Sequence, residues 1–164
     1  MVRSSGVPYR LCFVCLGNIC RSPTGEAVMR ELVREAGLAA DIEVDSAGTA
    51  GWHIGDAPDQ RSVDEANRRG VRIVHRGRQF VSSDFDSFDL VLAMDHDNHN
   101  QLRRLAPNGA AADKVVFLRS FDPDAHGAVE IDDPYYGTAE EFARAYDEID
   151  AACRGLLAYV KEQL

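Results

Sequence analysis

Short apolar runs alternate along this sequence with longer segments of helical periodicity, and this alternation constrains the fold more than any other feature. Residues 11–14 (LCFV) contain no charged or strongly polar side chain, and residues 89–94 (DLVLAM) repeat the pattern after one aspartate. An unbroken apolar run of this length is typical of a strand buried on both faces. Between the two runs, apolar residues recur every three or four positions within residues 23–36, which favours an amphipathic helix.

The alternation predicts an α/β fold. We expect strands at residues 11–14, 42–47, 89–94 and 115–118, and helices at 23–36, 58–69, 97–105 and 138–163. The last helix opens with a capping box, Thr138-x-x-Glu141. Strands that alternate with helices form a parallel sheet covered on both faces, which is a three-layer arrangement. Because no repeat or linker divides the chain, residues 1–164 are expected to form a single domain.

The chain is acidic, with 18 lysines and arginines against 27 aspartates and glutamates and a formal net charge of −9. A surface of this charge repels nucleic acid and anionic membranes, so we expect neither as a partner, although one cleft can still be basic. No stretch approaches the ~20 apolar residues of a membrane span. The N-terminal MVRSSGVPYR lacks the apolar core of a secretory signal. The expected location is the cytoplasm, with export by a non-standard route left open.

Three of the four cysteines, Cys12, Cys15 and Cys20, lie in one short segment, and the fourth is Cys153. Secreted disulfide scaffolds are shorter and more evenly rich in cysteine. The Cys12-x-x-Cys15 spacing could form a thioredoxin-like redox pair, but Cys12 lies within the apolar run and should point away from the loop. Cys153 falls on the apolar stripe of the last helix and is expected in the core. No second cluster of Cys or His has the spacing of a zinc site.

The segment that carries chemistry lies between the first strand and the first helix, at residues 15–22 (CLGNICRS). A loop in this position presents backbone N–H groups to an anion, assisted by the positive end of the helix dipole. Gly17 and Asn18 tolerate positive φ, which a loop curled around a phosphate requires. Arg21 adds a planar fork that suits two oxygens of a tetrahedral anion. Cys15 should ionise readily here, because helix N-termini and cations favour a thiolate, and that thiolate would be a nucleophile aimed at phosphorus.

A ligand loop after the first strand also predicts the strand order. In open α/β sheets, ligands bind where the connections from neighbouring strands run in opposite directions. We therefore expect a four-stranded parallel sheet in the order 2-1-3-4. The phosphate-binding loop after strand 1 would lie at the switch point between strands 1 and 3.

The sequence around this loop resembles one family. The Cys-x5-Arg-Ser pattern within VCLGNICRSP is similar to that of the low-molecular-weight protein tyrosine phosphatases, and the resemblance extends over nearly the whole chain. It includes residues 45–49 (DSAGT), 52–53 (WH), 75–79 (HRGRQ) and 132–137 (DDPYYG). The tandem tyrosines and an SFDP segment most resemble actinobacterial members. The resemblance implies hydrolysis of protein phosphotyrosine and small aryl phosphates through a phosphocysteine intermediate, with no cofactor and no metal.

The resemblance also implies roles for individual residues. Cys15 would attack phosphorus, and Arg21 would bind the equatorial oxygens. Asp133 would protonate the departing phenolate and then act as a base toward water. Ser22 would donate its hydroxyl to the thiolate. The phosphate-binding loop would comprise Leu16, Gly17, Asn18, Ile19, Cys20, Arg21 and Ser22.

Other positions would support this loop. Asn18 resembles a residue that is held in a left-handed conformation by hydrogen bonds to the counterparts of Ser46 and His75. Ser22 would support the loop as well as the thiolate. The adjacent acid Asp132 has no assigned role.

The pocket walls and one cysteine complete the predicted site. A phosphoaryl substrate needs flat walls, and the family's wall positions are occupied by Trp52, Tyr135 and Tyr136. Cys20 has two open interpretations, a reversible disulfide with Cys15 or simple packing inside the loop. The expected partners are tyrosine-phosphorylated proteins, with inorganic phosphate as product and inhibitor. The protein is expected to be a monomer or a weak dimer.

Three rival functions can be weighed on the same residues. Arsenate reductases share this fold and loop but need further cysteines, and none lies between Cys20 and Cys153. Protein arginine phosphatases of the same family carry threonine where this chain has Ile19. A non-catalytic phosphoprotein-binding module would keep the loop but lose Cys15 or Asp133, and both are present. Protein phosphotyrosine is therefore the favoured substrate.

Overall fold

A sheet of four parallel strands lies at the centre of the described structure. The computed structural model describes residues 6–164. Its strands are β1 (Tyr9–Cys15), β2 (Ile42–Gly48), β3 (Leu90–Ala93) and β4 (Val115–Phe117), in the order β2-β1-β3-β4. Each neighbouring pair is parallel. The predicted α/β architecture and strand order are confirmed, and β1 lies between two partners on opposite sides.

Five α-helices accompany the sheet within residues 6–164. They are α1 (Arg21–Glu35), α2 (Gln60–Arg68), α3 (His96–Leu105), α4 (Gly109–Ala112) and α5 (Ala139–Gln163). Two 3-10 helices, Ser82–Asp86 and Leu118–Phe121, complete the elements. The sequence predicts neither 3-10 helix nor α4, because segments of four or five residues are too short to show a period. Among these described helices, none combines the length and apolarity needed to cross a bilayer.

Alternating side chains of β1 contribute to two hydrophobic cores. Leu11 and Phe13 belong to the cluster formed with the buried faces of α1 and α5. Cys12 and Val14 belong to a second cluster, which includes Leu102 of α3. Because successive side chains of a strand point to opposite faces, the sheet is covered on both sides, as the sequence predicts.

Two local predictions need correction. The first helix begins at Arg21 rather than at Pro23, so Pro23 occupies the first turn, where its missing N–H removes no intrahelical bond. The capping box is wrong, because Thr138 precedes α5 but its side chain makes no capping hydrogen bond. The Glu141 side chain lies against Gly137 instead. The remaining boundaries coincide with the predicted ones or differ from them by at most two residues.

The carboxyl end of β1 positions the loop that follows it. Residues 16–20 connect β1 directly to α1, so the N-terminus of the helix stays next to Cys15. The chain after β2 lies alongside this loop. Thr49 N donates to the Cys15 carbonyl and Ala50 N donates to the Leu16 carbonyl, both at 2.9 Å. These backbone bonds fix the loop at the switch point of the sheet.

Gly25 sets the distance between α1 and the sheet. A methyl group at this position would lie 2.7 Å from Cδ1 of Phe13 on β1, which is closer than side chains approach one another. We expect Gly25→Ala to lower the free energy of unfolding by up to about 2 kcal/mol, because overpacking costs about 1–3 kcal/mol and the gain in helix propensity returns ~1 kcal/mol. Urea unfolding followed by circular dichroism measures the change.

Gly109→Ala is the matched control for this substitution. Gly109 begins α4, and no atom lies within 4 Å of the added methyl group. Alanine should therefore leave the free energy of unfolding unchanged or slightly higher. Equal unfolding midpoints for the two variants would show that the packing of α1 does not depend on the close contact at Gly25.

Candidate active site

Cys15 is the last residue of β1, and its side chain lines a surface pocket. Its Sγ atom lies 3.0 Å from the Ser22 hydroxyl oxygen, and the Ser22 backbone N–H donates to it at 3.4 Å. Ser22 is in the first turn of α1, where backbone N–H groups have no intrahelical acceptor. A negative charge on this sulfur would therefore be stabilised by a hydroxyl, an amide and the helix dipole.

Asn18 gives the loop its curvature. Its φ is 57°, in the left-handed region that residues other than glycine seldom adopt. The side-chain Nδ2 donates to the hydroxyls of Ser22 at 2.8 Å and Ser46 at 3.1 Å. Its Oδ1 accepts from the Arg78 backbone N–H at 3.0 Å and lies 2.7 Å from His75 Nε2. Hydrogen bonds to three separate parts of the chain thus hold the strained residue in place.

A buried carboxylate supports the same network from α1. Glu26 accepts a hydrogen bond from the Ser46 hydroxyl at 2.7 Å and lies 3.1 Å from His75 Nδ1. Burial acts to raise the pKa of Glu26, but hydrogen bonds from His75 and Ser46 outweigh burial and keep the pKa below its ordinary value. The sequence does not predict this role for Glu26, because a lone acidic residue on an amphipathic helix normally faces solvent.

Glu26, Asp45 and His75 have the spacing of metal ligands, since their ligand atoms lie within 4.8 Å of one another. Each of these atoms already has a partner. Glu26 binds Ser46 and His75, and Asp45 pairs with Arg78 at 3.2 Å. A guanidinium beside the carboxylates repels a second cation, so the trio fits hydrogen-bonded support of the loop better than metal binding.

Arg21 begins α1 and is only 2% exposed. Its Nη1 donates to Asp95 Oδ2 at 2.7 Å and to the Ile131 carbonyl at 2.8 Å. Its Nη2 lies 3.6 Å from Asp133 Oδ2. Burial acts to lower the pKa of this guanidinium, but Cys15 and Asp95 outweigh burial and raise the pKa above its ordinary value, so the charge is kept.

Asp95 is not identified from the sequence, although its position offers a signal. Asp95 follows β3 after Met94, and polar residues at the carboxyl ends of parallel strands face the ligand crevice. The residue also caps α3, since its Oδ1 accepts from the Asn98 backbone N–H at 2.8 Å. One carboxylate therefore orients Arg21 and fixes the start of a helix.

The pocket at Cys15 has a volume of about 170 Å³. It is lined by Cys15, Leu16, Gly17, Ile19, Cys20, Arg21, Trp52, His53, Asp133, Tyr135 and Tyr136. Trp52 and Tyr136 are 73% and 96% exposed, so they form the outer rim. The predicted support residues lie outside the lining: Asn18 and Ser22 belong to the loop itself, and Ser46 and His75 contact it from other segments. The structure thus brings the predicted residues together in two layers, one that faces the pocket and one that supports it.

Asp133 faces the pocket from the irregular segment at residues 122–138. Its Oδ1 accepts from the Tyr135 backbone N–H at 3.1 Å, and its side chain is 39% exposed. The neighbouring Asp132 is exposed and does not line the pocket. The structure therefore places one carboxylate of the adjacent pair at the pocket and the other in solvent.

His53 lines the pocket, although the sequence analysis assigns it no role. Its Nδ1 lies 3.0 Å from Asp56 Oδ2, which orients the ring, and the ring packs against Gly17 of the loop. Its only sequence signal is that it directly follows the wall residue Trp52.

The other thiols are less suited to react than Cys15. Burial raises the pKa of Cys12 and of Cys153, and neither side chain is exposed. Cys20 lines the pocket, but burial and the neighbouring Asp59 raise its pKa to about 12. Cys12 packs in the hydrophobic cluster on the opposite face of the sheet from Cys15, which opposes a redox pair between them.

Known proteins are similar to this chain in sequence and in architecture. The family model for low molecular weight phosphotyrosine protein phosphatase matches residues 10–164. A low molecular weight protein-tyrosine-phosphatase of Streptomyces coelicolor, an actinobacterium, is 48% identical over 157 residues, covering 95% of this chain and 96% of that protein. The human low molecular weight phosphotyrosine protein phosphatase is 40% identical, covering 88% of this chain and 91% of its own. A crystal structure of a protein tyrosine phosphatase from Entamoeba histolytica matches with a TM-score of 0.90 and 38% identity, covering 94% and 97% of the two chains. The predicted resemblance to the family is confirmed, as is the predicted similarity to actinobacterial members.

We expect iodoacetate to alkylate Cys15 before any other thiol. The Cys15 sulfur opens into the pocket, whereas the raised pKa values of Cys12, Cys20 and Cys153 keep those thiols protonated at neutral pH. Inorganic phosphate should slow the reaction, because it would occupy the same pocket. Peptide mapping by mass spectrometry after brief exposure identifies the labelled residue, with Cys15→Ser as the control. Faster labelling of Cys12 or Cys153 would contradict the assignment.

Proposed function

The chain belongs to the low molecular weight phosphotyrosine protein phosphatase family, and we propose that it hydrolyses protein phosphotyrosine with Cys15 as the nucleophile. Members of this family are hydrolases, and their substrates are phosphoproteins. One observation supports the assignment above the others: the Cys15 sulfur, the Arg21 guanidinium and the Asp133 carboxylate converge on a single pocket. The transfer of a phosphoryl group from an aryl ester needs a nucleophile, a group that binds the anion and a proton donor.

In the first step, the Cys15 thiolate attacks phosphorus, and the bond from phosphorus to the phenolic oxygen breaks. The new S–P bond makes a phosphocysteine, while protonated Asp133 passes its proton to the departing phenolate. Arg21 carries five N–H donors, so its bonds to Asp95 and Ile131 leave others for the phosphoryl oxygens. These donors and the loop amides act where negative charge develops in the transition state.

In the second step, water attacks the phosphocysteine, and Asp133, now a carboxylate, accepts a proton from it. The S–P bond breaks, and inorganic phosphate leaves. The Ser22 hydroxyl, 3.0 Å from the Cys15 sulfur, stabilises the thiolate as it departs. Inorganic phosphate fits the same anion site, so it acts as a product inhibitor.

The pocket rim favours an aryl phosphate. Trp52, Tyr135 and Tyr136 form its outer walls, and the two tyrosine rings meet edge to face with centroids 4.8 Å apart. Flat aromatic surfaces beside an anion site suit the ring of a phosphotyrosine, which would pack against them in an offset-stacked or edge-to-face arrangement. The Arg61 guanidinium lies 5.5 Å from the Tyr135 ring centroid, which steadies one wall.

The domain organisation, oligomeric state and cellular location of the enzyme are also proposed. We propose that residues 1–164 act as a single phosphatase domain, which the family match over residues 10–164 supports. The domain would work as a monomer or weak dimer. The cytoplasm is the proposed location, because a thiolate nucleophile must stay reduced and the cytoplasm keeps thiols reduced.

Asp133→Asn tests the general acid. The leaving phenolate has a conjugate acid of pKa ~10, so its departure at neutral pH needs a proton. We expect the single-turnover rate of phenol release from phenyl phosphate to fall by about 10²–10⁴-fold, the usual contribution of a general acid. The defect should shrink as the leaving group becomes more acidic. A plot of the logarithm of the rate against leaving-group pKa should therefore be steeper for the variant than for the wild type.

Asp132→Asn is the matched control, because Asp132 is the adjacent acid and lies outside the pocket lining. Its plot should run parallel to that of the wild type. Parallel lines for Asp133→Asn and the wild type would remove Asp133 from the role, and a steeper line for Asp132→Asn would transfer the role to Asp132.

We also propose that Cys20 protects the nucleophile through a reversible disulfide. Peroxide oxidises the Cys15 thiolate to a sulfenic acid, and attack by the Cys20 sulfur forms the disulfide and releases water. Because the attacking species is a thiolate and the pKa of Cys20 is about 12, closure should quicken as pH rises from about 7 to 9. Activity after peroxide and then a dithiol should recover in the wild type and much less in Cys20→Ser. Equal recovery in the two proteins would mean that Cys20 only packs inside the loop.

A further inference from the structure

We propose that Glu130 is a positioning residue for the general acid: it fastens the segment that carries Asp133, residues 122–138, to the start of α3. The inference rests on the acid role proposed for Asp133. It concerns a side chain that lies outside the pocket lining.

The fastening is made by one carboxylate oxygen of Glu130. This Oε2 accepts from the His96 backbone N–H at 3.0 Å and lies 3.2 Å from His96 Nδ1. His96 is the first residue of α3, so its N–H has no acceptor within the helix, and a negative charge there is favoured by the helix dipole. These hydrogen bonds from His96 lower the pKa of Glu130, which keeps it a carboxylate at neutral pH.

The backbone on either side of this contact is also held. The Glu130 carbonyl accepts from Arg119 Nη1 at 3.0 Å. The Ile131 N–H donates to the Met94 carbonyl at 2.8 Å, and the Ile131 carbonyl accepts from Arg21 Nη1 at 2.8 Å. Residues 130 and 131 are therefore joined to the end of β3, to the start of α3 and to the phosphate-binding arginine.

Asp133 depends on this anchor, because it lies only two residues beyond Ile131. Its own Oδ1 bond is local, to the Tyr135 backbone N–H, and the following Tyr136 is almost wholly exposed. A general acid must lie within hydrogen-bond reach of the leaving oxygen. Displacements on the order of 1 Å can cost as much as ~10²-fold in rate.

The contact between Glu130 and His96 is suited to positioning Asp133 rather than to stabilising the fold. The Glu130 and His96 side chains are both substantially exposed, and exposed polar contacts of this kind contribute little to the free energy of unfolding. Removal of the Glu130 carboxylate should therefore leave the fold intact and change mainly the placement of Asp133.

Glu130→Ala and Glu130→Gln test the proposal in the full chain. Phenol release from phenyl phosphate should slow by about fivefold in Glu130→Ala, a small share of the ~10²–10⁴-fold supplied by a general acid. Release from p-nitrophenyl phosphate, which needs less protonation, should change by less than about twofold. Glutamine keeps an acceptor for the His96 N–H, so Glu130→Gln should recover most of the loss.

Asp124→Ala provides the matched control, since Asp124 is an exposed acid on the same segment and is not part of the pocket. It should behave as wild type with both substrates. Thermal unfolding of each variant shows whether the fold has changed. Equal slowing of both substrates in Glu130→Ala, or a loss that follows the folded fraction, would overturn the proposal.

The double variant Glu130→Ala with Asp133→Asn separates this inference from the function on which it rests. If Glu130 acts through Asp133, its removal should have no effect once Asp133 is asparagine. An undiminished effect of Glu130→Ala in that background would overturn the positioning role and leave the acid role standing. If Asp133→Asn alone fails to steepen the leaving-group dependence, it is the acid role that fails.

Discussion

The proposed anion site depends on one strained residue, Asn18, that hydrogen bonds of its own side chain hold in place. A left-handed conformation at a residue such as Asn18 costs about 1–3 kcal/mol. The cost is offset by hydrogen bonds from the Asn18 amide to Ser22 and Ser46 and by its contact with His75. Because the turn at Asn18 bends the loop around the Cys15 sulfur, the site is curved before a substrate arrives. The energy of phosphate binding is then available for the reaction rather than for building the loop.

An acidic protein can bind an anion here because the positive charge is local and fixed. The net charge is −9, but exposed charges are screened over about 8–10 Å at physiological salt. Arg21 is buried, and its bond to Asp95 orients the guanidinium. Asp95 is itself only 21% exposed, so solvent screens its attraction for the buried guanidinium less than it would screen a surface pair. Asp95 therefore keeps Arg21 aligned between turnovers.

The parts of the molecule that could be predicted from the sequence are those encoded in contiguous residues. An apolar run predicts β1, and the Cys-x5-Arg-Ser pattern that follows it predicts the loop and the position of the sheet's switch point. Glu26 could not be predicted in this way, because it acts through partners that the fold brings from distant segments; the one signal for Asp95 is its place directly after β3. A lone acid carries neither a period nor a motif. The capping box at Thr138 is wrong for a related reason: a local pattern does not decide which neighbour a side chain contacts.

The residues proposed to act on phosphorus are more deeply buried than the residues of the pocket walls. This difference separates the residues for the reaction from those for substrate selection. Cys15 ends a buried strand and Arg21 is enclosed, whereas the wall residue Trp52 is largely exposed and Tyr136 almost wholly so. Groups that act on phosphorus must stay within a fraction of an ångström of their working positions. Walls that admit phosphotyrosine in different proteins must adapt to different neighbours. Since the carboxyl end of β1 and the start of α1 supply Cys15 and Arg21, changes confined to the exposed wall residues can alter the choice of phosphoprotein without disturbing the proposed attack on phosphorus.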